Sequence, residues 1–176
     1  AAGEVLCVHG CGGVGLAAVA FGRAVGATVV AVDIAPEALA LAVSLGADLT
    51  LDASTTDDVG GALHDLVGGA HVSVDCLGHS ATATNSIMSL RALGRHVQVG
   101  LSPAKSADRP ISRVLRDELE VLGVHGLSAT RFAEVFALMA DGRLDSGIGI
   151  TTSISLGGMV EIRRCASVSP MFSRAW

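Results

Sequence analysis

Short runs of β-branched and aliphatic residues alternate along the chain with longer Ala- and Leu-rich segments, and Gly or Asp marks most junctions. The runs predict strands at Glu4–His9, Thr28–Asp33, Leu49–Asp52, His71–Cys76, His96–Val99 and Leu119–Val124. The intervening segments predict helices at Val14–Val25, Pro36–Leu45, Asp57–Val67, Ala81–Leu90 and Thr130–Asp141. Pro36 opens one of these and Gly46 follows its end, the punctuation a helix favours. Apolar residues run continuously through the strands instead of alternating, so each strand is expected to be buried on both faces. The expectation is a doubly wound α/β domain: a six-stranded, mostly parallel sheet with helices on both faces. Two regions break the rhythm. Ser102–Pro110 is a polar loop after the fifth strand, and Glu161–Trp176 loses helical periodicity and is expected to be irregular.

Composition narrows the picture. The chain has 176 residues, enough for one domain with a sizeable core. Half of them are hydrophobic, yet four Phe and one Trp are the only aromatic residues, so Ala, Val, Leu and Ile must fill the interior. Net charge is -5, with Lys105 the single Lys against scattered Arg, which argues against nucleic acid as a partner. Cys7, Cys11, Cys76 and Cys165 form no C-x-x-C pair or secreted framework, which suits a reducing cytoplasm. The start lacks a signal-peptide pattern, and no uninterrupted apolar stretch of about 20 residues offers a membrane span.

The chemistry concentrates at Val5–Gly15, VLCVHGCGGVG: an apolar strand, then G-x-G-x-x-G at Gly10, Gly12 and Gly15, then a helix. Gly10 permits the tight turn, Gly12 lets backbone approach a pyrophosphate, and Gly15 lets helix and strand pack closely. Gly13 removes a further side chain, and Val14 opens the helix whose free N–H groups face the phosphates. At the end of the next strand, Asp33 is placed to accept hydrogen bonds from both adenosine ribose hydroxyls. A 2′-phosphate would meet its negative charge, and Ile34, Ala35 and Pro36 bring no cation, so the turn and acid favour NAD over NADP. The Rossmann-type cofactor domain is expected to occupy residues 1–160, leaving 161–176 as a tail.

Taken together, GCGGVG at Gly10–Gly15, VVAVDI at Val29–Ile34, LGAD at Leu45–Asp48, VDCLG at Val74–Gly78, LGRHVQVGL at Leu93–Leu101 and LEVLGVHG at Leu119–Gly126 resemble the cofactor domain of medium-chain, zinc-type alcohol dehydrogenases. The resemblance runs from about Gly3 to Glu161. It implies that Cys76 and Leu77 flank the adenine and ribose, that Val99, Gly100 and Leu101 approach the nicotinamide, and that Val124 presents backbone to the carboxamide. Strand ends are where such folds bind ligands, although Cys76, Leu77 and Val99 also suit plain core packing. The resemblance further implies hydride transfer between NAD and a small alcohol or carbonyl compound. It implies a homodimer through the strand near 119–124 as well. Catalytic zinc belongs to a separate domain in that family, and no zinc ligands are expected here. The chain therefore reads as a fragment expected to bind NAD(H) without catalysing alone, with no catalytic residue of its own.

Other readings are weaker. Cys7-x-His9-x-Cys11 brings too few ligands to one face for structural zinc. His79 and His125 follow strands on the cofactor side and could line a cleft. No Ser stands in a G-x-S-x-G elbow, and the absence of Tyr excludes short-chain dehydrogenase chemistry. An S-adenosylmethionine-dependent methyltransferase also uses a glycine turn and a ribose-binding acid, but an acid common near Cys7 in those enzymes is missing. A non-catalytic NAD-binding or dimerisation module is the remaining alternative.

Overall fold

The computed structural model describes residues 2–101, 109–126 and 128–145. Most of the Ser102–Pro110 loop, Lys105, Cys165 and the whole tail from Glu161 lie outside the described residues. The elements run β1 (Val5–His9), α1 (Gly13–Ala24), β2 (Thr28–Asp33), α2 (Pro36–Ser44), β3 (Leu49–Asp52) and α3 (Val59–Val67). They continue with β4 (Ala70–Asp75), α4 (Ser80–Met88), β5 (Leu90–Gln98), α5 (Ile111–Arg116), β6 (Glu120–Gly123), a 3-10 turn (Ala129–Arg131) and α6 (Phe132–Ala140). One sheet holds all six strands in the order β3-β2-β1-β4-β5-β6, and every pair is parallel. That order reverses between β1 and β4, which places a crevice at the carboxyl ends of those two strands.

Burial on both faces explains the continuous apolar runs. In β2, Val29 and Ala31 enter one core with Leu16 and Val19 of α1 and Leu39 of α2. Val30 and Val32 enter the other, with Val59 and Leu63 of α3 and Ile87 of α4. Cys7 and Val8 of β1 divide in the same way. A third cluster seats Val135, Leu138 and Met139 of α6 against Ala20 and Ala24 of α1.

Two elements differ from the sequence expectation. The fifth strand begins at Leu90 instead of His96, and its register with β4 shifts between Ala70 and Val72. α5 was not expected at all. It is six residues long, has no side-chain cap and buries none of its residues fully, so it leaves little amphipathic signal.

Gly15 sets the geometry of the first turn. A Cβ there would run into the carbonyl of Gly10, so α1 can lie on the end of β1 only with glycine at this position. Gly10 itself has φ +90°, in the left-handed region that glycine populates freely. Gly15→Ala is expected to destabilise the fold by about 3 kcal/mol, as overpacking against backbone does. Urea unfolding of the variant beside the wild type measures this; an unchanged midpoint would refute the close approach.

Candidate functional site

At the crevice, His9, Gly10, Val32, Asp33, Ile34, Ala53, Leu77, His79, Ala81, Thr82 and Asn85 enclose a cleft of about 340 Å³. The glycine turn, the end of β2 and the start of α4 therefore meet at one place. Ile34 and Leu77 are 68% and 54% exposed, so two large apolar side chains stand at the cleft with no core to fill. Planar apolar ligands exploit such surfaces.

Asp33 is held by backbone. Its Oδ2 accepts from Cys11 N at 2.6 Å, and its Oδ1 accepts from Ile34 N at 2.7 Å and Ala35 N at 2.9 Å. A carboxylate offers about four lone-pair directions, so roughly one remains for a ligand hydroxyl, already aimed. No Lys or Arg lines the cleft among the described residues. Beside Asp33, α1 starts at Gly13 after an N-cap glycine that supplies no side-chain bond, leaving its first N–H groups uncapped. A Cβ at Gly12 or Gly13 would meet nothing within 4 Å, so this face of the turn is open to a ligand. Uncapped N–H groups at a helix start attract anions such as phosphate.

Of the residues singled out in the sequence, Gly10, Asp33 and Leu77 share the cleft, and Gly12, Gly13 and Val14 are exposed in the turn that follows Gly10. Cys76 instead packs partly buried against the α1 side core. Val99 and Gly100 donate through their N–H groups to Asp75 O at 3.0 and 2.8 Å, and Leu101 is exposed beside them. Val124 N donates to Gln98 O at 3.0 Å, so Val124 sits farther along the same rim and outside the cleft. His79 lines the cleft, whereas His125 is exposed away from it. Cys7 and Cys11 point into opposite cores, which separates the thiols a zinc site would need. Among the described residues, no cluster of His, Cys, Asp or Glu is placed to hold a metal ion.

The structure adds residues that the sequence reading missed. His9, at the cleft floor, is 1% exposed, and its Nε2 lies 3.3 Å from Ser89 Oγ. Ser89 and Ser73 both donate to Ser86 O, and Ser86 Oγ lies 3.0 Å from His96 Nδ1. His96 Nε2 lies 3.4 Å from Gln98 Oε1, and Gln98 Nε2 donates to Asp75 Oδ2 at 2.8 Å. A polar seam thus crosses the buried interface of β1, β4, α4 and β5. The only hint in sequence is a polar residue inside each apolar run, as in VSVDC and HVQVG.

Residues 13–141 match the family model described as zinc-binding dehydrogenase. An alcohol dehydrogenase from Geobacillus stearothermophilus is 29% identical over 172 residues, 98% of this chain and 47% of that protein. The (R,R)-butanediol dehydrogenase of Bacillus subtilis is 31% identical over 162 residues, 91% of this chain and 46% of that protein. In three dimensions, a 2R,3R-butanediol dehydrogenase from Bacillus subtilis superposes with a TM-score of 0.77 at 32% identity, over 83% of this chain and 42% of that one. A zinc-binding dehydrogenase from Sinorhizobium meliloti, bound to NADP, gives a TM-score of 0.74 at 29% identity, over 82% of this chain and 43% of that one. The parallel sheet, its reversal point and the glycine turn define a Rossmann-like α/β domain. The chain belongs to the zinc-binding dehydrogenase family, a family of oxidoreductases, and spans about half the length of the curated relatives it matches.

Burial pushes the His9 imidazole down from 6.5 to about 4, against the pull of Asp75, with His96 adding a smaller push in the same direction. His96 is lowered too, mainly by burial. Below the ordinary imidazole value, the unfolded chain takes up a proton that the folded chain refuses. Stability is therefore expected to fall as pH drops from 6.5 towards 4, by about 3 kcal/mol for His9. Thermal melting across that range tests it, with His9→Gln flattening the curve. A wild-type stability independent of pH there would contradict the burial argument.

Proposed function

We propose that this chain holds NAD(H) across the crevice and serves hydride transfer between the nicotinamide and a small alcohol or carbonyl compound. The observation that carries the reading is Asp33, fixed by three N–H groups at the mouth of a cleft beside an open, uncapped helix start. The described residues fit the cofactor. Asp33 would take the adenosine ribose, Ile34 and Leu77 would flank the adenine, and Gly12, Gly13 and Val14 would face the pyrophosphate. Val99, Gly100, Leu101 and Val124 line the rim on which the nicotinamide would lie, with Cys76 supporting the adenosine side from the core. Bound there, the nicotinamide supplies the hydride chemistry, while these residues bind and orient it. A metal ion that polarises an alcohol oxygen would need ligands from outside the described residues.

NAD is favoured over NADP, although one structural neighbour carries NADP, because a 2′-phosphate would face the Asp33 carboxylate with no Lys or Arg in the cleft among the described residues. We place the protein in a reducing cytoplasm, where the buried thiols of Cys7 and Cys11 stay free. Among the described residues, no helix is long and apolar enough to cross a membrane. The acidic balance speaks against a nucleic-acid partner.

Titration with NADH, followed by nicotinamide fluorescence, tests the reading. Saturable binding is expected, weaker for NADPH, and reduced about tenfold or more in Asp33→Ala. Absence of NADH binding by the folded wild type would overturn it.

We also assign the strand near 119–124 to a homodimer contact. Among the described residues, β6 pairs only with β5, and its Val121 and Leu122, with Val124 just beyond, are exposed. An uncovered apolar edge invites pairing with another strand. Sedimentation at micromolar concentration is expected to show a dimer that Val121→Lys shifts to monomer; a wild-type monomer would refute the contact.

A further inference from the structure

Asp75 closes β4 with its side chain fully buried, at 0% exposure, and binds two separate turns at once. Its Oδ1 accepts from Leu77 N and Gly78 N, each at 2.9 Å, and so shapes the turn that carries Leu77 into the cleft. Its backbone oxygen accepts from Val99 N and Gly100 N, and so shapes the turn after β5. Gln98 locks the two together. One hydrogen of its amide goes to Asp75 Oδ2 and the other to Gly100 O, both at 2.8 Å. Its Oε1 accepts from Arg109 Nη2 at 3.3 Å, so a flipped amide would set oxygen against two acceptors. The turns also interlock by contact, because a Cβ at Gly78 would strike Leu101 O and one at Gly100 would strike Gly78 N.

We infer that the Asp75–Gln98 pair is a positioning device: it sets the distance between the Leu77 side of the crevice and the Gly100–Leu101 side, so that both halves of one dinucleotide fit together. The inference rests on the proposed cofactor reading and goes beyond it, since neither side chain is assigned a contact with the ligand. Register supports it. Asp75 and Gln98 are directly paired positions on neighbouring strands, so their side chains meet wherever the two strand ends meet. Preorganisation of this kind matters only to a ligand long enough to touch both turns. A ligand confined to the cleft needs Leu77 and Asp33 but not their spacing from Gly100.

Binding of 5′-AMP and of NADH to the full chain therefore separates the roles. In Gln98→Leu, affinity for 5′-AMP is expected to stay within about twofold of wild type, while NADH weakens about tenfold or more. Equal loss for both ligands would make Gln98 a general structural residue and overturn the inference, as would no loss for either. If Gln98→Leu does not fold, amide hydrogen exchange of the wild type gives the answer. The amides of Leu77, Gly78, Val99 and Gly100 should then open as one unit, with equal protection in the ligand-free chain, and two separate levels of protection for the two turns would overturn the inference. A wild type that binds neither ligand removes the cofactor reading and this inference together, whereas a wild type that binds both leaves the cofactor reading intact whatever Gln98 does.

Discussion

The meeting of backbone with backbone at Gly15 and Gly10 is the constraint on which the rest of the structure depends. It lets α1 rest on the end of β1 with no side chain between them, which brings the uncapped helix start to the rim of the sheet. The same turn delivers Cys11 N to Asp33, so the carboxylate at the end of β2 is tied to the loop after β1. A larger residue at Gly15 would lift the helix, withdraw its N–H groups from the crevice and release Asp33 in one step.

From that contact outward, the crevice is built by strand ends in order. β1 gives the glycine turn, β2 gives Asp33 and Ile34, β4 gives Leu77, and β5 gives Gly100 and Leu101. Buried polar groups hold these ends in relation to one another. Such groups are costly to bury unless satisfied, and here His9, Ser73, Asp75, Ser86 and His96 all have partners. Apolar burial sets the sheet and helices in place, and the polar seam sets the spacing of the loops.

Much of the fold was legible in the residues because a strand buried on both faces must be apolar throughout, as Val29–Val32 is. The cleft was legible in part, since Gly10 and Asp33 line it and Gly15 is demanded by the close approach of helix and strand beside it. The start of β5 was hidden because Leu93 adopts φ +61° inside it, a conformation a side chain rarely takes, and the segment reads as a turn. The partnership of Asp75 with Gln98 was hidden for another reason: it follows from the register between β4 and β5, which no local pattern specifies. Cys76 stands just past a strand, where a side chain can face the core or a ligand, and it packs partly buried against the core.

A crystal structure of the chain grown with NADH would show directly whether the crevice holds the cofactor. Adenine is expected between Ile34 and Leu77, a ribose hydroxyl on Asp33, and the pyrophosphate over Gly12 and Gly13 at the start of α1. Cofactor bound away from the crevice, or with its ribose turned from Asp33, would contradict that expectation.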